Sequence, residues 1–184
     1  MNRQLLVLEI GGGAFIAVGA AFMRRLFALN NGMLLGFLFG AVNGSDWEQT
    51  KTLLLPYALW ALLEVLLLRL RFHRFTVAKT AALYALGVVS LLLRLVGLQG
   101  LFADILSVAA ALGLSCFLYS SPLPLRWLFA PSLVLLFLFV SLYVSPTPFP
   151  PRFVSFYDSA TGLYGIVPPY FDYGAAALDA LNNL

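Results

Sequence analysis

The residues that could do chemistry in this chain gather in two short stretches. The first, NGSDWEQTK at 43–51, holds Asn43, Asp46, Glu48 and Lys51; the second, FYDSATGLY at 156–164, holds Asp158, Thr161 and Tyr164. Carboxylates set beside an ammonium and hydroxyls can pass protons to a substrate or hold a polar headgroup. Asp46, Glu48 and Asp158 are therefore the candidate set of an enzyme acting on a lipid or its headgroup. The same residues also have a structural reading. Ser45 stands three positions before Glu48, the spacing of a capping box, which starts a helix at Asp46 that runs to about Leu70 and bends at Pro56. Asp46 and Glu48 suit the positive end of that helix, and Trp47 suits the headgroup level of a bilayer.

Other chemistries lack their residues. The single histidine, His73, lies in the basic run RFHRF, and the single cysteine, Cys116, lies in the apolar run LGLSCFLY. Neither a metal-ligand set nor a disulfide framework can be built from them. There is no phosphate loop and no nucleophile elbow, so no cofactor is implied. The net charge of +3 is spread over several segments and does not form the basic patch that nucleic acid requires.

The elements that must position these residues follow from composition. Of the 184 residues, 61% are hydrophobic and 10% charged, and the mean hydropathy is +0.92. A soluble domain is nearer half apolar and a quarter charged, so the lipid bilayer is this chain's solvent. A helix needs about 20 apolar residues to cross it. Leu5–Met23, Leu53–Leu70, Thr76–Val96, Leu101–Tyr119 and Leu125–Val144 meet that length. The expected fold is all-α: a polytopic bundle of five spans, with a re-entrant glycine-rich segment between the first two. Glu9 in the first span argues against a cleaved signal peptide.

The segment from Leu26 to Val42 leaves a six-span bundle as the alternative. It carries Asn30 and Asn31 and reaches only about 25 Å as helix, which favours a segment that enters and turns back. Arg24 and Arg25 favour six, because a sixth span would put them inside. In both arrangements the cluster Arg69, Arg71, Arg74 and Lys79 marks a cytoplasmic loop of a plasma-membrane protein, and everything after residue 145 is extracytoplasmic. Gly32, Gly36, Gly40 and Gly44 form a ladder at spacing four. Such a stripe lets another helix approach closely, and Gly13, Ala17 and Ala21 supply a matching stripe on the first span. A dimer seam is the other use of such stripes.

Charges inside spans are expensive and need partners. Arg94 and Asp104 flank the 97–100 turn at similar depth and are expected to pair. Glu9, Glu64 and Lys79 fall in the cytoplasmic halves of their spans and are expected to form a second pair or triad. The chain divides at residue 144: a transmembrane domain at 1–144, and a tail at 145–184 rich in proline and aromatic residues. Proline stops the last helix, and the tail is expected to lie over the outer helix ends. Asp158, Ser159, Thr161 and Gly162 suit a tight turn, and 175–181 a short final helix. Asn43, Glu48 and Lys51 are expected to meet Asp158, Thr161 and Tyr164 under the tail, with Lys51 bridging Glu48 to Asp158.

GFLFGAVNGSDWEQTK and FPPRFVSFYDSATGLYGI together resemble two segments of a family of small, uncharacterised bacterial membrane proteins. The first segment of that family runs approximately V-G-L-F-S-P-V-N-E-S-x-W-E-H-x-K. Leu38, Phe39, Val42, Asn43, Ser45, Trp47, Glu48 and Lys51 match it. Pro150, Pro151, Asp158, Thr161, Gly162, Tyr164, Gly165 and Ile166 match the later segment. The chain departs where the pattern has Glu and His, at Gly44 and Gln49, and at Met23 and Phe27, where the pattern again tends to His and Glu. Those positions would be the natural metal ligands or acid–base groups, so the resemblance implies no established activity here. The leading reading is a non-enzymatic membrane component that binds lipid or a membrane protein partner, including a second copy of itself. The lipid-directed enzyme and a substrate-binding subunit of a transporter are the alternatives.

Overall fold

The computed structural model describes residues 3–29, 34–67 and 71–165. Five of its helices are long and apolar enough to cross a membrane, in an all-α bundle compatible with a multi-pass membrane protein. They are α1 (Arg3–Leu29), α3 (Asp46–Leu67), α4 (Phe72–Leu95), α5 (Gly100–Ser120) and α6 (Phe129–Val144), the last preceded by a 3-10 turn at Leu125–Leu128. A short helix, α2 (Leu34–Phe39), lies between the first two. The expected final helix at 175–181, Arg69, and the paired asparagines 30 and 31 fall outside the described residues.

α4 is the hub, packed against α3, α5 and α6, while α1 packs on α3 and α5. In α3 and α4, 44% of the spanning window is buried, against 11% in α6. That ordering explains where the polar residues sit. α6 is nearly uniformly apolar and leaves most of its surface exposed, whereas α3 and α4 carry the Thr, Ser, Glu, Lys and Arg residues that need partners inside. The core between them is Ile16, Leu53, Leu54, Tyr57, Leu83 and Leu86, with smaller residues around.

α1 crosses α3 closely because glycine removes the obstacles. A Cβ on Gly12 would overlap the Trp60 indole, and one on Gly19 would come within 2.8 Å of Pro56 Cβ. α3 is one continuous helix through Pro56. The stripe Gly13, Ala17 and Ala21 does not pack on the glycine ladder as expected. It faces α5, with Gly13 against Leu112 and all three lining a groove there. Gly32 of the ladder falls outside the described residues, and Gly40 and Gly44 have different neighbours. α2 folds back along the end of α1, where Ala41 N–H donates to Met23 O at 3.3 Å, and Gly40 lies so near the Phe27 nitrogen that a Cβ would reach it at 2.9 Å. Gly44 faces the tail.

The α4–α5 connection is a Schellman turn. Gly97 N–H bonds Arg94 O, Leu98 N–H bonds Leu93 O, and Gly97 and Gly100 take φ of 87° and 70°. This four-residue reversal fixes Arg94 and Asp104 opposite each other. After α6 the chain turns at 145–148, makes a 3-10 turn at Val154–Phe156, and ends in a two-residue antiparallel hairpin, β1 (Tyr157–Asp158) with β2 (Leu163–Tyr164).

Candidate functional site

The end of the bundle that carries the tail holds both candidate stretches, and the backbone brings them together. Glu48 and Lys51, one turn apart on α3, pair at 2.9 Å with their side chains almost wholly buried. Thr147, from the turn after α6, closes a ring with them: Lys51 Nζ donates to its Oγ1 at 2.8 Å, and that hydroxyl donates to Glu48 Oε1 at 2.8 Å. Glu48 Oε2 also accepts Val42 N–H at 3.2 Å. One carboxylate and one ammonium cancel, and each has polar partners, which is what burial of an ion pair demands. The Lys51 ammonium also lies 5.7 Å from the Tyr143 ring centroid, while the Tyr143 hydroxyl donates to Phe39 O at 3.1 Å.

The capping box forms only by half. Ser45 Oγ accepts Glu48 N–H at 3.4 Å, but Glu48 turns to Val42 instead of reaching back. Asn43 Oδ1 takes the Ser45 N–H at 2.9 Å in its place, and Asn43 Nδ2 donates to Gly165 O at 2.5 Å. Asn43 therefore ties the loop before α3 to the end of the hairpin.

Asp158 is 4% exposed and serves its own turn, accepting Ala160 N–H at 3.1 Å and the Thr161 hydroxyl at 2.8 Å. Its carboxylate lies on Gly44, where a Cβ would come to 3.0 Å. A glutamate at position 44, as in the resembled pattern, would set carboxylate against carboxylate. The expected Lys51 bridge to Asp158 is replaced by the Lys51–Thr147 bond. Tyr164 lies opposite Tyr157, ring centroids 5.3 Å apart, and remains 40% exposed. Trp47 packs on Phe156 at 5.4 Å, and a wholly apolar cavity of about 350 Å³ lies beside them, between α4, α6 and the tail.

Beside this network, Asp104 receives Arg94 at 2.6 Å and, in addition, Arg24 from the end of α1. Arg94 Nε donates to Ser90 Oγ at 3.3 Å, and Ser90 shares a 2.9 Å bond with Thr50. Asp46 lies within electrostatic reach of Arg94 and is half-buried. The Arg24–Asp104 pair closes one end of the groove between α1 and α5, about 320 Å³, whose walls are the small stripe and Leu101, Ile105, Val108 and Leu112.

Glu9, Glu64 and Lys79 meet at the opposite end of the bundle. Lys79 Nζ lies 2.8 Å from Glu9 Oε1 and 2.5 Å from Glu64 Oε2. His73, also at that end, is exposed and packs its ring 4.4 Å from Phe129.

Thr147, Ser90 and Ser115 were not singled out from the sequence, and Arg24 was read only for its bearing on the number of spans. Thr147 had a readable signal, a hydroxyl flanked on both sides by proline in the run SPTPFP. Arg24 had one too, as a charge at the end of a span with no partner nearby in sequence.

A sequence match to a known family spans residues 8–166, from the first helix through the hairpin, and includes both polar stretches. The chain belongs to DUF6512, a family of unknown function. No curated protein and no solved structure is significantly similar to this DUF6512 chain.

Proposed function

We propose that this DUF6512 protein is a non-enzymatic, multi-pass component of a bacterial plasma membrane that holds an anionic phospholipid between α1 and α5. The tail end is extracytoplasmic in this reading, because Arg71, Arg74 and Arg126 cluster at the other end.

The α1–α5 groove carries the proposal, being apolar along its length with the Arg24 guanidinium at one end. Its volume of about 320 Å³ falls within the roughly 300–1,000 Å³ typical of ligand pockets. Small side chains on α1 leave room for an acyl chain. At the end, Arg24 keeps one arm on Asp104, its Nε has no partner, and a quarter of its side chain, 26%, is exposed. Arg24 has N–H groups beyond the arm on Asp104, and a guanidinium binds a phosphate with directed N–H bonds. The enzymatic reading has less support. Glu48 and Asp158 are occupied by the chain's own groups and line none of the cavities described above.

Native mass spectrometry of the protein in mild detergent tests this. One retained anionic phospholipid is expected, with affinity lower by about tenfold or more in Arg24→Gln, the loss of a charge-assisted hydrogen bond. Asp104 keeps Arg94 in that variant, so the fold survives. Absence of bound phospholipid, or equal retention by Arg24→Gln, would overturn the proposal. Turnover of the lipid that disappears in Asp46→Asn would favour the enzyme.

A further inference from the structure

The cluster at the opposite end of the bundle differs in kind from the networks around Asp104 and Glu48, because in it the carboxyls outnumber the cations. Glu9 from α1, Glu64 from α3 and Lys79 from α4 are each at most 5% exposed. One ammonium stands between two carboxyl groups, at 2.8 Å and 2.5 Å. Ser115 from α5 donates to Glu9 Oε1 at 2.9 Å, the oxygen Lys79 already holds. That leaves Glu9 Oε2 and Glu64 Oε1 buried without a hydrogen-bond partner.

No other cation among the described residues makes up the balance. The remaining groups packed on the cluster are the Tyr57 hydroxyl and Trp60 indole of α3, and Cys116 of α5, none of them cationic. The aromatic faces of Tyr57 and Phe75 each lie 5.5 Å from the ammonium and accept no proton. Arg71 and His73 are exposed, and Arg74 donates to Leu123 O at 2.6 Å. With both carboxyls ionised, the cluster would hold one uncompensated negative charge inside a membrane span. Burying an unpaired ion there is strongly unfavourable.

We propose that Glu9 and Glu64 together bind one exchangeable proton beside Lys79, so that this end of the bundle is a proton-binding site. The proton converts two carboxylates and one ammonium into a neutral set. It also turns one orphaned carboxylate oxygen into an O–H donor, in surroundings where the Tyr57 hydroxyl is likewise buried without a partner. A metal cation is the poorer occupant. Lys79 already fills the position between the carboxyls, and no group of three or more metal-ligating His, Cys, Asp or Glu residues exists among the described residues. This site stands independently of the lipid groove.

Infrared difference spectroscopy of the purified full chain, stepped in pH with H₂O/D₂O exchange, reads the proton directly. The expected result at neutral pH is a deuterium-sensitive protonated-carboxyl band equivalent to one group per chain. Glu9→Gln and Glu64→Gln should each abolish it entirely, because the surviving carboxylate then pairs one-to-one with Lys79. Both variants keep an ion pair, and if one fails to fold the other carries the test. Lys79→Met should double the band. A wild-type protein without the band, a band that survives both glutamine variants, or one that sodium displaces in place of protons would overturn the proposal.

Discussion

Asp104 accepts two arginines, and this makes its neighbours unequal. Arg94 is buried and Arg24 is partly exposed, so each guanidinium can lose its partner only through Asp104 itself. Asp104→Asn should therefore cost about 3–5 kcal/mol, the penalty of leaving a buried charge unpaired. Arg24→Gln should cost no more than about 1 kcal/mol, because the pair that remains is the buried one. Thermal unfolding of the two variants in the same detergent checks the order, and equal losses would refute the unequal partnership. The Arg94–Asp104 contact was legible from two charges at equal depth around a short turn. Arg24 was not, because its partner is 80 residues away and the first apolar run seemed to end at Met23. The helix in fact continues to Leu29, and Asp104 gives its arginine a partner along the way. Lys51 shows the same blindness from the other side. Its charge and its i,i+3 carboxylate were readable, but its second partner was assigned to Asp158 when the nearer hydroxyl was Thr147.

At the scale of elements, glycine spacing was readable and glycine direction was not. Four glycines at spacing four announce a close approach without naming the neighbour. On α1 the residues in closest approach to α3 are Gly12 and Gly19, which the Gly13–Ala17–Ala21 spacing obscured. The contact on Trp60 and Pro56 leaves no room for a side chain, so Gly12→Leu and Gly19→Leu should each destabilise by about 1–3 kcal/mol or prevent folding. Gly113 on α5 is the matched comparison, with nothing within 4 Å of a Cβ. Gly113→Ala should be neutral or stabilising by up to about 1 kcal/mol, the helix-propensity difference. Melting temperatures of the three variants test the packing of α1 on α3. Tolerance of Gly12→Leu would mean that these helices do not cross where the structure places them. The presence of the five long helices, by contrast, could be read directly, because each carries an apolar run long enough to cross a bilayer.

For the whole molecule, if the five long helices each cross the membrane, the three between the α3–α4 connection and the tail put those two segments on opposite sides. The sign of that arrangement rests on charge. Arg71 and Arg74 stand beside the α3–α4 connection and Arg126 beside the α5–α6 turn, while Arg24 and Arg25 at the other end pull the opposite way. Arg24 is held by Asp104 within the fold, but positive charge biases orientation during insertion, before such pairs exist. The loop arginines should therefore prevail. In a Cys116→Ala background, a cysteine at Phe149, which is 81% exposed on the tail, should react with a membrane-impermeant thiol reagent added to intact cells. A cysteine at Arg74 should react only after the membrane is opened. Labelling of Arg74→Cys in intact cells with protection of Phe149→Cys would invert the protein. The Arg24 end of the α1–α5 groove would then face the cytoplasmic leaflet, and the shared proton of Glu9 and Glu64 would exchange with the outside.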